Sequence, residues 1–383
     1  MNKKAYDVVI IGGGIIGCSL AFELAKRGRK DILIIEKKFL TSGATGRCGA
    51  GIRQQWGTVL NATLARDSTH LFEHLEEYTG YDGDCGLNQK GYLIAAHTEA
   101  EWEQFQKNVE LQLSLGIPVE KLDPKGAKEI VPHMNTEGII GATFCPTDGH
   151  ANPFHCTFAY AKGAERMGVE FATYTEVTGL TKTGDKITGV ETDKGYVEAS
   201  IVVNAAGFNS SIIAQMAGVD VPVQPERHQI LITEPVNHIM DPMVISFYYH
   251  IYCQQTPHGS FIMGIGDPTE PVSYNIKSSW KFLEDCATQV TSVLPILKNI
   301  RIVRQWAGLY DMSPDRNPII DEMKGVSGFY TVAGFSGHGF MVAPKTAIII
   351  AQHLTGEKPD IDISLFSADR YQTGQLLLEP AVV

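Results

Sequence analysis

Three glycines near the N-terminus, Gly12-x-Gly14-x-x-Gly17, constrain this chain more than any other feature. They follow the β-rich run Tyr6–Ile11 and open a segment where Ile16, Leu20 and Leu24 recur at four-residue steps, the spacing of one helix face. Gly12 permits a tight turn, Gly14 lets a pyrophosphate approach the backbone, and Gly17 lets the helix pack close to the strand. The first turn of that helix, with Ile16 in it, offers N–H donors and the positive end of the helix dipole to an anion. Gly28 stands just past Lys26 and Arg27 as a stop, and Ile32–Ile35 reads as the next buried strand. Residues 5–36 thus spell a β-α-β unit. Glu36 closes its second strand about 20 residues past the last glycine, where a carboxylate can accept from both ribose hydroxyls. That acid disfavours a 2′-phosphate, so the expected ligand is NAD or FAD, not NADP.

Composition narrows the rest. A chain of 383 residues should hold two or three domains, and 44% apolar with 20% charged residues describes a globular protein with real cores. The net charge of −11, with no long Lys/Arg block, argues against sequence-independent nucleic-acid binding. Seven scattered cysteines without a CxxC read as reduced thiols, with no disulfide framework, zinc site or iron–sulfur cluster, so no metal is expected. The N-terminal stretch imitates a signal peptide, but glycines 12, 13, 14 and 17 interrupt it and Asp7 and Glu23 bracket it. No run of 18 apolar residues occurs, so no transmembrane segment and a cytoplasmic location are expected.

Along the chain, residues 62–79, 99–116, 154–167 and 278–294 read as helices. Gly91–Ala96, Glu170–Tyr174, Val190–Thr192, Ala199–Asn204, His228–Thr233, Val244–Tyr252, Ser260–Gly264, Ile300–Leu309 and Phe329–Ala333 read as strands. A Gly-rich turn at 334–339 leads into a last helix, Ala343–Leu354, with Pro344 in its first turn and Gly356 after its end. Strand-turn-helix features of the nucleotide type thus sit at both chain ends, with strand-rich insertions between them. The expected division is 1–82, 146–220 and 312–375 in a cofactor domain, and 83–145 and 221–311 in a substrate domain.

Several segments then carry a family resemblance. Phe39–Gly51 (FLTSGATGRCGAG) is similar to the Ser/Gly-rich run of D-amino-acid-oxidase-like flavoproteins. Val202-Val-Asn-Ala-Ala-Gly207 is similar to their second cofactor turn. Asp315-Arg-Asn-Pro-Ile-Ile-Asp321 and Ala333-Gly-Phe-Ser-Gly-His-Gly-Phe340 are similar to their C-terminal signature. The chain resembles this FAD-dependent superfamily over residues 6–370. Through Gly51–Trp56 (GIRQQW) and Trp306–Ile320 (WAGLYDMSPDRNPII) it most resembles the β subunits of heteromeric sarcosine oxidases and of dye-linked L-proline dehydrogenases. The resemblance implies an α/β fold, α+β overall: a glutathione-reductase-type FAD-binding domain with an interleaved antiparallel-sheet domain over the flavin. It places FAD against Gly12, Gly14, Ile16, Gly17, Glu36, Lys37, Ser42, Gly43, Thr45, Gly49, Gly51, Val177, Ala206, Gly207, Gly334, Gly337, His338, Gly339, Phe340 and Met341. Independently, the Gly-rich turn feeding a helix sets positive dipole ends at Gly337–Met341, where a reduced flavin's negative edge would be stabilised.

The implied chemistry is removal of hydride from the carbon bearing a neutral amine to flavin N5. It asks for a fixed cation on the substrate carboxylate, a pocket that disfavours the ammonium form, and aromatic walls that exclude water. Arg53 falls where monomeric relatives place their carboxylate anchor. Lys345, one turn into the last helix, could reach the flavin edge. His228, Tyr248, Tyr252, Trp306 and His338 are candidates for the wall, His338 foremost because two glycines flank it. The cysteine that tethers FAD in monomeric sarcosine oxidases aligns with Gly308, so FAD should be held non-covalently. The histidine that holds FMN in the heterotetrameric enzymes aligns with Pro153, flanked out of register by His150 and His155, which leaves a second flavin only at a subunit interface. Expected partners are a small amino-acid substrate and either partner subunits or an electron carrier. Two other readings compete: a 2-hydroxy-acid dehydrogenase, with His338 or His228 as base, and a non-catalytic flavin-binding subunit.

Overall fold

The computed structural model describes residues 3–380 and is a mixed α/β protein built on two large sheets. The first runs, in spatial order, Ile319–Glu322, Phe329–Ala333, Gly195–Asn204, Ala5–Ile11, Ile32–Ile35 and Glu170–Ala172. Its centre is parallel: Ile10 pairs with Val203 on one side and Ile34 on the other. Such strands are covered on both faces, which explains why Ile32–Ile35 is a continuous apolar run rather than an alternating one. One face carries the helices Ile15–Lys26, Pro153–Arg166, Val59–Phe72 and Gly339–Leu354, sharing a core that includes Leu20, Leu24, Tyr160 and Ile349. The other face carries the hairpin Val177–Thr183/Lys186–Thr192 and the helix Ser210–Met216.

The second sheet runs Ile302–Met312, Gln224–Thr233, Phe261–Ile265, Ile251–Gln255, Met243–Ser246, Tyr92–Ala96, Gly141–Cys145 and Glu120–Leu122. It is antiparallel except where Met243–Ser246 lies parallel to Tyr92–Ala96. The helix Trp280–Val293 covers it through Phe282, Cys286 and Val290. A two-residue ladder, Gly51–Ile52 with Gly149–His150, ties the loop after the first β-α-β unit to the strand-rich region.

Four expectations need correction. Val244–Tyr252 is not one strand: it breaks at residues 247–250, where His250 takes φ 53°, into two antiparallel strands. The helix expected over 62–79 breaks into Val59–Phe72 and Leu75–Thr79. The strand expected over Glu170–Tyr174 ends at Ala172, and Tyr174 turns at φ 50°. The last helix begins at Gly339, so Pro344 lies inside it; the buried face of that helix offsets the N–H that proline lacks. Sequence reading also passed over Gly141–Cys145, Pro124–Ile130 and Ser210–Met216, short elements of small or polar residues whose pattern is too weak to stand alone. No helix among the described residues is long and apolar enough to cross a membrane.

Candidate active site

The glycine turn is shaped by backbone contact. A Cβ on Gly17 would sit 2.0 Å from the Gly12 carbonyl oxygen, and one on Gly12 (φ +119°) would sit 2.3 Å from that of Ala205. These two glycines therefore serve the protein's own packing. At Gly14, the helix N-cap, a Cβ would meet only the Thr45 hydroxyl, at 3.1 Å, so its free side faces outward to a ligand. The two roles separate experimentally. Gly17→Ala should force strand and helix apart and leave little folded protein. Gly14→Ala should fold with an unchanged urea midpoint but bind FAD at least tenfold more weakly, read by fluorescence titration of the apoprotein. Equal affinity in Gly14→Ala would remove Gly14 from the cradle.

Glu36 lies at the end of this turn. Its carboxylate accepts from the Gly13 N–H at 2.9 Å, the Lys38 N–H at 2.8 Å and the Ser42 hydroxyl at 3.1 Å. The Thr45 hydroxyl accepts from the Ile15 N–H at 3.2 Å, and Gly43 faces the Phe208 ring. Val177 is buried at the start of its strand, and the neighbouring Thr175 N–H bonds the Glu36 carbonyl at 3.0 Å. Ala206 lies against Gly12, and Gly207 turns at φ +55° with open space beside it. The Lys37 side chain, just past the strand end, is exposed and paired with Glu176 at 2.6 Å.

The far end of the site gathers around a buried cation. The Arg53 guanidinium lies 4.1 Å from the centre of the Trp56 ring, and the Trp56 ring lies 4.9 Å from that of His338. Arg53 is 5% exposed. Burial draws its pKa down, opposed by the charges of Glu379, Tyr92 and Asp148, and a guanidinium stays charged throughout. His338 is fully enclosed, and neither ring nitrogen has a hydrogen-bond partner among the described residues. Burial, and then the charge of Arg53, pushes its pKa down to about 3. It is thus a neutral imidazole, which normally has one N–H to donate and one lone pair to fill. Buried polar atoms without partners are uncommon in native proteins, and two on one ring make His338 a candidate contact for a bound group. Because its titration lies so low, kcat/KM for an oxidised substrate should show no inflection from His338 between pH 5 and 8. An inflection near 6 that vanishes in His338→Gln would contradict this assignment.

The glycine turn before His338 is set by Asp311. Its carboxylate accepts the Gly334 N–H at 2.8 Å and the Phe335 N–H at 3.2 Å, and its carbonyl accepts from Ser336 at 3.1 Å. Burial pushes its carboxyl up to about 6. Gly337 (φ +95°) leaves no room for a side chain, since a Cβ there would meet the Tyr310 ring at 2.4 Å. Tyr310 in turn stacks on His228 at 3.7 Å between ring centres, and His228 Nε2 is 2.9 Å from Glu226. Gly339 opens the helix, Met341 lies in its first turn, and the Phe340 ring faces inward to Phe72 at 5.3 Å. Tyr252 lies 3.7 Å from the Cβ position of Gly49, and a Cβ on Gly51 would strike the Tyr92 hydroxyl at 2.0 Å. Trp306 donates to the Arg47 carbonyl at 2.9 Å.

Arg53 and His338 therefore meet across Trp56, with Tyr252, Gly49 and Gly51 on the neighbouring loop and sheet. His228 reaches the Gly334–Gly339 turn only through Tyr310. Two expectations are corrected here. Lys345 does not reach this cluster: its ammonium is 2.7 Å from Asp360 and 3.5 Å from Asp67, on the helix side that packs away from Arg53. Its helix begins at Gly339, so Lys345 stands in the second turn instead of the first. Tyr248 stands half exposed, stacked on His97 at 5.3 Å, outside the cluster. Trp56, Tyr92, Tyr310, Asp148 and Asp311 were not singled out from sequence. Only the presence of Trp56, Tyr310 and Asp311 inside resembling segments could have flagged them.

The residues fit FAD: a dinucleotide-type glycine turn with its ribose acid, a second turn at Ala206–Gly207, and an enclosed, partnerless imidazole at the far end. Comparison with known proteins agrees. A family model described as FAD dependent oxidoreductase (DAO) matches residues 7–353. The chain is 31% identical to sarcosine oxidase subunit beta of an Arthrobacter species, over 98% of this chain and 94% of that one. It superimposes on L-proline dehydrogenase from P. horikoshii with a TM-score of 0.93 and 39% identity, covering 98% of this chain and 100% of that one. Glycine oxidase from Geobacillus kaustophilus gives a TM-score of 0.86 and 25% identity, covering 95% and 98%. From its glycine turn to its last helix, the chain belongs to the FAD-dependent oxidoreductase family named for D-amino-acid oxidase.

Proposed function

We propose that this protein oxidises a small α-amino acid of the sarcosine, proline, glycine or opine type. The observation that carries this reading is the buried Arg53 guanidinium, walled by Trp56 and set beside a neutral His338 whose two nitrogens await partners. A guanidinium held in that way binds a carboxylate through two parallel N–H bonds. Its charge also disfavours a second cation nearby, so the bound amine gives up its ammonium proton before reaction. FAD supplies the acceptor for the hydride that leaves the amine-bearing carbon. The carbon–hydrogen electron pair departs with that hydride, and the nitrogen lone pair closes the C=N bond of an imine. Trp56, Tyr252 and Phe335, whose ring meets that of His338 edge-on at 6.4 Å, keep water out while this happens. His338 can bond the substrate or the ring system beside it in its neutral form only.

Relatives bearing the names sarcosine oxidase subunit beta and L-proline dehydrogenase support this class of donor. They also support a role as the catalytic subunit of a heteromeric enzyme, with partner subunits or a carrier taking the electrons. FAD is held non-covalently in this reading, because Gly308, 3.1 Å from Arg47 Cβ at its Cβ position, offers no thiol. The division into a cofactor domain and a substrate domain at the expected boundaries belongs to the same proposal. A 2-hydroxy acid would need a base for its hydroxyl proton; of the two candidates, His338 titrates near 3 and is a poor one, and His228 stacks on Tyr310 and pairs with Glu226 away from Arg53.

The test is an anaerobic visible spectrum of the purified protein, before and after separate additions of L-proline, sarcosine and glycine. Bleaching by one of them is the expected result and names the donor class. A yellow protein bleached by lactate or 2-hydroxyglutarate and by no amine would overturn it.

A further inference from the structure

We infer that Asp148, a residue outside the cluster of Arg53, Trp56 and His338, is the positioning residue that aims the Arg53 guanidinium at a substrate carboxylate. The inference rests on the reading of Arg53 given above. Asp148 lies in the turn between Gly141–Cys145 and Gly149–His150, and its side chain is wholly buried. Its two carboxylate oxygens collect the residues that follow Arg53. Oδ1 accepts the Gln54 backbone N–H at 2.8 Å and the Gln54 side-chain amide at 3.2 Å, and Oδ2 accepts the Gln55 side-chain amide at 3.0 Å.

Gln55 carries the restraint onward. Its amide N also donates to the Tyr92 carbonyl at 3.1 Å, and its amide oxygen accepts the Thr143 hydroxyl at 2.7 Å. Its own carbonyl accepts from Arg53 Nη1 at 3.2 Å. The path from Asp148 to the guanidinium is therefore two hydrogen bonds long, through one side chain and one backbone carbonyl. On the near side, pairing of Ile52 with Gly149 holds the backbone on which both residues stand. A carboxylate buried in this way is expensive to keep, and burial pushes its carboxyl up to about 6 against the amide donors and the Arg53 charge. An apolar side chain of similar size would leave the buried Gln54 N–H and the Gln54 and Gln55 side-chain amides without this acceptor, so the charge serves the loop that carries Arg53. Three donors from the two residues after Arg53 converge on this acid, beside the Cys145 thiol, and make it a clamp on that loop.

The test is a double-mutant cycle on the FAD-loaded protein, with acetate as the probe and its Kd measured by calorimetry. Asp148→Asn should keep the FAD content and weaken acetate about tenfold, since hydrogen bonds to a charged group are lost from the clamp. Arg53→Leu should weaken acetate about a hundredfold, and the double variant should be no weaker than Arg53→Leu, because Asp148 acts only through Arg53. With L-proline, sarcosine or glycine as donor, KM should rise with Asp148→Asn while the limiting rate of bleaching falls less than about threefold, a split that general loosening of the fold would not produce. Should Asp148→Asn not fold, Gln54→Met removes one of the three bonds and should weaken acetate about threefold, again only when Arg53 is present. An effect of Arg53→Leu without one of Asp148→Asn or Gln54→Met, or effects that multiply in the double variant, overturns the role of Asp148 alone. Unchanged acetate binding in Arg53→Leu overturns the reading of Arg53 and this inference with it.

Discussion

Arg53→Leu is expected to raise KM for an amino-acid donor by roughly 100- to 1,000-fold, while the spectrum and FAD content of the protein stay those of the parent. Truncating one partner of a desolvated, hydrogen-bonded charge pair typically costs 2–5 kcal/mol, and about 1.4 kcal/mol is a factor of ten. Here the substrate carboxylate would lose its counter-charge in a site walled by Trp56 and enclosed further by His338. The fold should survive, because the nearby carboxylates keep donors of their own. Asp148 retains Gln54 and Gln55, and Glu379 retains the Gly57 N–H at 2.7 Å, the Thr58 hydroxyl at 2.8 Å and the Asn61 amide at 2.9 Å. Arg53→Lys should fall between parent and Leu, because a point charge keeps the attraction but loses the fork. Steady-state kinetics with the bleaching donor checks this, and an unchanged KM in Arg53→Leu would remove the carboxylate anchor.

Among buried ion pairs, the largest stability effect should come from Asp315. Arg370 holds its carboxylate with two bonds, Nε at 2.7 Å and Nη2 at 3.0 Å, and both side chains are almost fully buried. Tyr371 adds a bond at 2.9 Å, the Asn317 N–H one at 3.2 Å and the Leu377 N–H one at 3.1 Å. Burial by itself would raise the Asp315 carboxyl. The bonds from Arg370 and Leu377, with the guanidinium charge, outweigh it and hold the group below the usual carboxylate range. Asp315→Ala leaves Arg370 buried and charged with only neutral partners, the Phe366, Ser367 and Asn317 carbonyls and the Tyr371 hydroxyl, so it should lower stability by about 3–5 kcal/mol. It should also loosen the chain at Leu377, whose N–H loses its acceptor while Asn317 and the bonds of Glu379 keep their hold on the neighbouring residues. The double change Asp315→Leu/Arg370→Met should recover much of the loss, since replacing a whole buried pair is often near neutral. Urea midpoints of the FAD-loaded variants decide it, and a loss under about 1 kcal/mol for Asp315→Ala would mean that the pair is not desolvated.

The glycine turn and its acid were legible because local chemistry specifies them. Gly12 needs a positive φ, and Gly17 must let a carbonyl approach where a Cβ would stand. The first helix and the strand Ile32–Ile35 were legible for the same reason, since periodicity and a stop glycine act within a few residues. The split of Val244–Tyr252 was not, because both halves are apolar and only the turn at His250 separates them. Nor was the start of the last helix, where propensity argues against a proline that the packed core tolerates.

Lys345 marks the limit most clearly. Its place in the string suggested the flavin edge, yet one turn of register and two carboxylates from distant segments turned it elsewhere. Asp148 is the converse: nothing in its own neighbourhood marks it, and its meaning comes from Gln54 and Gln55 folding onto it from far along the chain. By itself, then, the sequence determined the glycine turn with Glu36 after it and, through short segments each legible locally, the family, and it offered Arg53 as a candidate anchor. Only the tertiary structure decided which side chains share a site with that arginine. Burial, partnerless nitrogens and buried counter-charges are properties of contacts between segments, and these exist only once the two sheets and the helices around them have packed.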